Sequence, residues 1–170
     1  MILSDHDIKD VLLDKQLMAK GHLLISPFNP KQLTPNGYDL RVDENALDKK
    51  RMEVKKLKDS DGTEREHRVY TLKPDEFIKL KTYETIDLPN GIVALLKLRS
   101  RYSRNGVGLF DAVVDAGFSG VLYFAVRNFS DEPVELKLDE GLLHIVFLKT
   151  LSDSDEPYGS TPKSHHQNQK

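Results

Sequence analysis

From residue 38 onward, apolar and polar positions alternate along most of this chain. Tyr38, Leu40 and Val42 alternate with Asp39, Arg41 and Asp43. Leu122, Phe124 and Val126 alternate with Tyr123, Ala125 and Arg127. A period of two predicts half-buried strands. Residues 92 to 98 are nearly all apolar and predict a buried strand. Pro35-Asn36-Gly37, Pro74 and Pro89-Asn90-Gly91 punctuate the runs as turns. Helical spacing appears at the start, where Ser4 offers an N-cap. Asp5 and Asp7 suit the first turn, Ile8, Val11 and Leu12 recur on one face, and Gly21 is a stop. Residues 22 to 30 read as a short strand ending in a proline-rich turn. Residues 43 to 68 carry a mixed-sign charge run around Asp61-Gly62, which reads as a hairpin with a solvated face. Two further strands meet at Asp139-Glu140-Gly141. The sum is a mostly β chain with a short N-terminal helix, in a closed or sandwiched antiparallel fold.

Composition narrows the function. With 170 residues, one domain is expected over residues 1–152, followed by a polar tail at 153–170, broken by Pro157, Gly159 and Pro162, that composition reads as flexible and able to close over a site. The 25 basic and 27 acidic residues nearly cancel, to a net charge of −2, so no bulk basic field points to nucleic acid. No apolar run reaches membrane-spanning length and no signal pattern opens the chain, which predicts a cytoplasmic protein without a membrane partner. The absence of cysteine excludes thiolate zinc sites, disulfides and the zinc-dependent nucleobase deaminases, which need a Pro-Cys-x-x-Cys element.

Three places carry candidate chemistry. Asp115 lies between an apolar run and a turn in which Gly117 and Gly120 bracket Phe118; rigid strands on both sides would hold it as a base. Arg99, Ser100, Arg101 and Arg104 form a basic break directly after an apolar strand. If that break coils into a short helix, Ser100 and Arg104 share a face and offer a hydroxyl and a guanidinium fork to a phosphate. In the tail, Tyr158, Ser160, Thr161 and Lys163 supply an aromatic face, small donors and a cation suited to wrapping a nucleotide. Asp39 by itself reads as a turn cap or as an orienting partner for a basic side chain. His165-His166 has no second cluster and is assigned no metal.

These segments, in this order, resemble the motifs of the dUTPase/dCTP deaminase superfamily, and in particular its archaeal and viral deaminase-like branch. NGYDLRV is similar to the first motif, LRSRYSRNG to the arginine-serine motif, VVDAGFSGVLYFAVRN to the third, LLHIVF weakly to the fourth and YGSTP to the fifth. Lys163 and Gln167 match a Lys-x-x-x-Gln of deaminase-like tails. The resemblance implies a distorted β-barrel or jelly-roll (β-clip) protomer in a homotrimer with its sites between subunits. It implies Asp115 as the catalytic base, with Arg99, Ser100, Arg104, Phe118, Asp39, Tyr158, Ser160, Thr161, Lys163 and Gln167 around the substrate. It also implies Mg²⁺ carried by the triphosphate rather than by protein ligands.

The resemblance leaves a choice of reaction. Deaminase members use a glutamate at the place that Ala125 holds here, and many carry an arginine where this chain has Val113. Alanine cannot move a proton. The expectation is therefore a dUTP diphosphatase releasing dUMP and pyrophosphate. The alternatives are a dCTP deaminase, a bifunctional enzyme, or a non-catalytic nucleotide-binding member. His144 stands where a glutamine is usual, and the loop between Arg99 and Asp115 is about two residues shorter than in the family's pattern.

Overall fold

The computed structural model describes residues 1–13, 24–59, 61–160 and 164–168. The expected stop at Gly21 lies outside them, as do Thr161 and Lys163. Helix α1 (Asp5–Leu13) opens the chain. Its N-terminus is a reciprocal cap: the Asp7 amide donates to Ser4 Oγ at 3.2 Å, while the Ser4 amide donates to Asp7 Oδ2 at 2.8 Å. Ile8 presents the apolar face and is fully buried.

Among the described residues eleven strands follow: β1 (Leu24–Ser26), β2 (Leu33–Thr34), β3 (Gly37–Leu40), β4 (Met52–Lys58), β5 (Glu64–Leu72), β6 (Phe77–Asp87), β7 (Ile92–Leu98), β8 (Val107–Phe110), β9 (Ser119–Asn128), β10 (Val134–Lys137) and β11 (Leu143–Lys149). A one-turn helix, α2 (Ser100–Ser103), separates β7 from β8. The strands form three antiparallel sheets in the orders β1-β6-β9-β8, β10-β5-β4 and β2-β3-β11-β7. The layers are open, so the jelly-roll form of the expected fold is realised rather than a closed barrel. Among the described residues no helix is long and apolar enough to cross a membrane.

Alternation decides which faces meet. Leu40, Leu80, Leu136, Ile145 and Phe147 are at most 1% exposed and belong to one continuous apolar cluster. β7 departs from its expected full burial: Ile92, Ala94 and Leu96 are buried while Val93 and Leu95 are only partly covered. The charged hairpin β4–β5 forms as expected, pairing Met52 with Tyr70 through to Lys58 with Glu64. Its face is not uniformly solvated, however. His67 is 4% exposed and turns inward against the β10–β11 connection.

Two buried polar groups pin the site-bearing strands. The Asn128 amide nitrogen donates to Leu72 O and Glu132 O, closing the end of β9. At the irregularity in β6 between Lys81 and Thr85, Glu84 is completely buried. It accepts from the Arg41 amide at 2.9 Å and from Arg41 Nε at 2.7 Å. Burial pushes the Glu84 carboxyl up, and the Arg41 contacts oppose that shift.

Candidate functional site

The turn between residues 114 and 119 is built around Asp115 and Gly117. Val114 bridges Ala94 on β7 through hydrogen bonds in both directions at 2.9 Å, which fixes the residue before Asp115. Phe118 N donates to Asp115 O at 3.1 Å and Leu88 N to Phe118 O at 2.8 Å, so the turn is tied on both sides. Gly117 has φ +85, and a Cβ there would lie 2.7 Å from Pro157 Cβ and 2.8 Å from Tyr158 O. Only glycine allows both that backbone conformation and the approach of residues 157 and 158.

The tail is seated on this turn. Tyr158 N donates to Ala116 O at 2.7 Å, and the Phe118 and Tyr158 rings lie 5.8 Å apart, tilted by 50°. Gln167 grips the turn with both ends of its amide: Nε2 donates to Gly117 O at 3.1 Å, and Oε1 accepts from Ser119 N at 3.1 Å. Asn168 N donates to Ser119 O at 2.7 Å. Ser160 Oγ donates to Pro157 O at 2.6 Å. The segment that composition reads as flexible is thus held at several points, because glycine leaves the turn backbone accessible to it.

A cavity of about 310 Å³ opens beside the turn, lined by Ala112, Val113, Asp115, Phe118, Tyr123 and Tyr158 among others. Asp115 is the one carboxylate among its described lining residues. It is exposed, and its side chain has no hydrogen-bond or ion-pair partner among the described residues. Ala125 is buried on the strand that leads away from the turn, opposite Phe110 and Lys79. Nearby, burial pushes the Asp111 carboxyl up, with Lys97 opposing.

The basic corner is a separate construction. Helix α2 forms as expected: Arg104 N donates to Ser100 O at 3.0 Å, placing Ser100 and Arg104 together on the exposed side. Neither side chain has a partner among the described residues. Arg99 points the other way. Its Nε lies 3.2 Å from Asp39 Oδ2, and its Nη1 donates to Gly141 O at 3.2 Å. Asp39, 8% exposed, holds His144 Nδ1 on its second oxygen at 2.9 Å. Asp39 and His144 face each other across β3 and β11. Gly141 makes room for this: a Cβ there would sit 2.5 Å from Asp39 Cβ. Asp39 is therefore an orienting partner rather than a turn cap, and both of its oxygens are engaged.

A third group went unnoticed in the sequence because its members come from three segments. Asp59, His67 and Glu140 have ligand atoms within 4.8 Å of one another, the spacing of a metal site. Lys137 Nζ fills it, 2.8 Å from Asp59 Oδ1, 3.1 Å from His67 Nε2 and 3.1 Å from Glu140 Oε1. Lys137 is 2% exposed, so its ammonium takes the place a metal cation would occupy, and a divalent ion does not fit there. That ammonium lowers the Asp59 carboxyl to about 2.

Ser100 and Arg104 line neither of the two cavities that Asp115 lines. The described residues of one chain therefore present two separate groups: Asp115 with Phe118, Tyr158 and Gln167, and Ser100 with Arg104 next to the Arg99–Asp39 pair.

Comparison with known proteins follows the same lines. Residues 2–150 match the model of the "dCTP deaminase-like" family. The chain is 34% identical over 158 residues to a probable deoxyuridine 5'-triphosphate nucleotidohydrolase of Sulfolobus islandicus rod-shaped virus 1, covering 93% of this chain and 90% of that one. It is 35% identical over 164 residues to a dCTP deaminase of Acidianus ambivalens, with the same coverage. Among solved structures, the 2'-deoxycytidine 5'-triphosphate deaminase of Agrobacterium tumefaciens superposes with a TM-score of 0.58 at 17% identity. That match covers 86% of this chain and 46% of the other, and it speaks to the fold alone.

Proposed function

Because the chain belongs to the dCTP deaminase-like family, whose named relatives include both a dUTP hydrolase and dCTP deaminases, we propose that it is a dUTP diphosphatase. The observation that carries this reading is the pairing of Asp115 with Ala125. Asp115 is accessible, its side chain has no partner among the described residues, and it is the one acid among the described residues lining the cavity of about 310 Å³ beside Phe118. Ala125 brings no acid or base to the place where a deaminase needs one.

Asp115 accepts a proton from a water, the oxygen attacks the α-phosphorus, and pyrophosphate leaves. Ser100 and Arg104 bind the phosphates and meet the charge that develops in the transition state, with Arg99 behind them. Asp39 and His144 hold Arg99 in place. Phe118 and Tyr158 form an aromatic wall against the deoxyribose, and the main chain of residues 109 to 113 reads the uracil edge. Gln167 clamps the tail (153–170) onto the turn of the 1–152 domain, while Ser160, Thr161 and Lys163 close over the nucleotide. Mg²⁺ arrives as part of the substrate, on phosphate oxygens and water, in keeping with its reluctance to dehydrate. The two groups are half-sites, completed between chains of a homotrimer.

Asp115→Asn tests the base. The expected result is a folded protein that still binds dUTP, with turnover reduced on the order of a hundredfold to ten-thousandfold. Turnover at the wild-type rate would remove Asp115 from the mechanism. A second reading, deamination of dCTP alone or together with dUTP hydrolysis, is favoured by the names of most relatives and opposed by Ala125.

A further inference from the structure

We infer that Glu140 is a positioning residue for the phosphate corner, fixing α2 and so the Ser100 hydroxyl and the Arg104 guanidinium. The inference rests on the proposed role of that corner as the triphosphate seat.

A single helical turn has no stability of its own, since nucleation fixes several dihedrals for one hydrogen bond. Its orientation must come from tertiary ties. α2 has one tie beneath it, where the buried Tyr102 hydroxyl accepts from Lys137 N at 3.2 Å. Asp39, Gly141 O and Leu142 O hold the cap residue Arg99, and Glu140 adds the ties that reach Arg101 as well. Its Oε2 accepts from Arg101 Nη1 at 2.6 Å and lies 3.6 Å from Arg99 Nη1. These two arginines flank Ser100. Its Oε1 accepts from the buried Lys137 ammonium at 3.1 Å. One oxygen is thus anchored in the interior while the other holds both arginines. Lys137 is itself fixed by Asp59 at 2.8 Å, so the acceptor cannot drift with solvent as a surface carboxylate would. A local shift here moves Ser100 and Arg104, whose own side chains have no described partner to hold them.

The groups that Glu140 ties together, Lys137, Arg101 and Arg99, are all cations, so a neutral amide weakens the ties: its N–H would have to turn toward a cation or toward the neighbouring Asp59 carboxylate. Glu140→Gln is expected to raise KM for dUTP roughly tenfold, the worth of one charge-assisted hydrogen bond, and to lower kcat as well, because Ser100 and Arg104 also meet the transition-state charge. Calorimetry should give a matching loss of affinity for pyrophosphate. A purely structural role would lower the melting temperature and leave KM alone. Arg101→Gln cuts the same tie without touching the interior cluster, and it decides the matter if Glu140→Gln does not fold. It should also raise KM. Wild-type KM in the folded variant overturns the inference while leaving dUTP hydrolysis standing. A wild-type protein inert toward both dUTP and dCTP, with no affinity for pyrophosphate, overturns the corner's role and this inference together.

Discussion

Asp115 and Ala125 lie on one continuous segment, and each owes its meaning to its setting. Asp115 is exposed on a turn tied on both sides, whereas Ala125 is buried within a ladder. Both were legible in the sequence, because a turn acid and an alternating strand are local patterns. Glu84 was not. Its partner Arg41 lies 43 residues away in sequence, and nothing near Glu84 distinguishes it from the charged residues around it. Its removal should be costly, since it leaves Arg41 and a backbone amide without their acceptor. Glu84→Ala is expected to lower unfolding free energy by about 3 kcal/mol, read from urea melts. A loss below about 0.5 kcal/mol, the range of ordinary surface substitutions, would contradict that account.

At the scale of elements, the β4–β5 hairpin was correctly placed around Asp61-Gly62, but its inward face was missed. A mixed-sign run gives no local hint that Asp59 and His67 meet a buried lysine from β10. Lys137 itself sits in an alternating stretch that reads as an ordinary half-buried strand. The cluster has a pH signature. Lys137 holds the folded Asp59 carboxyl at about 2, against an ordinary value of 3.8. A depressed folded pKa stabilises fully above the unfolded value, and that stabilisation is lost as pH falls from about 4 toward 2. Asp59→Asn should therefore flatten the dependence of stability on pH across that window in thermal melts from pH 2 to 6. An unchanged acid limb would show that the contact does not persist in solution.

The tail is the other element-scale case. Its aromatic and amide residues were legible as ligand-wrapping chemistry, but the contacts of Tyr158 and Gln167 with Ala116, Gly117 and Ser119 depend on backbone groups no pattern reveals. Tyr158→Ala removes a ring from the cavity wall and from Phe118. It should raise KM for dUTP severalfold, in line with about 0.5–1.5 kcal/mol for an aromatic pair. A KM equal to wild type would mean that the wall does not contact the nucleotide.

For the whole molecule, the order of motifs along the chain carried the fold and the family, while the separation of the Asp115 group from the Ser100–Arg104 group emerged only in three dimensions. That separation makes assembly testable. Light scattering should give three times the chain mass. Co-refolding Asp115→Asn chains with Arg104→Ala chains should restore dUTP hydrolysis, because some interfaces then receive an intact residue of each kind. Full inactivity of the mixture would mean that each chain completes its own site.

The choice between the two chemistries of the family turns on a single comparison: dUTP and dCTP are supplied side by side, with Mg²⁺, and the products are separated. Ala125 and the accessible Asp115 predict dUMP and pyrophosphate from dUTP and unchanged dCTP. Uracil nucleotide and ammonia appearing from dCTP would contradict the account.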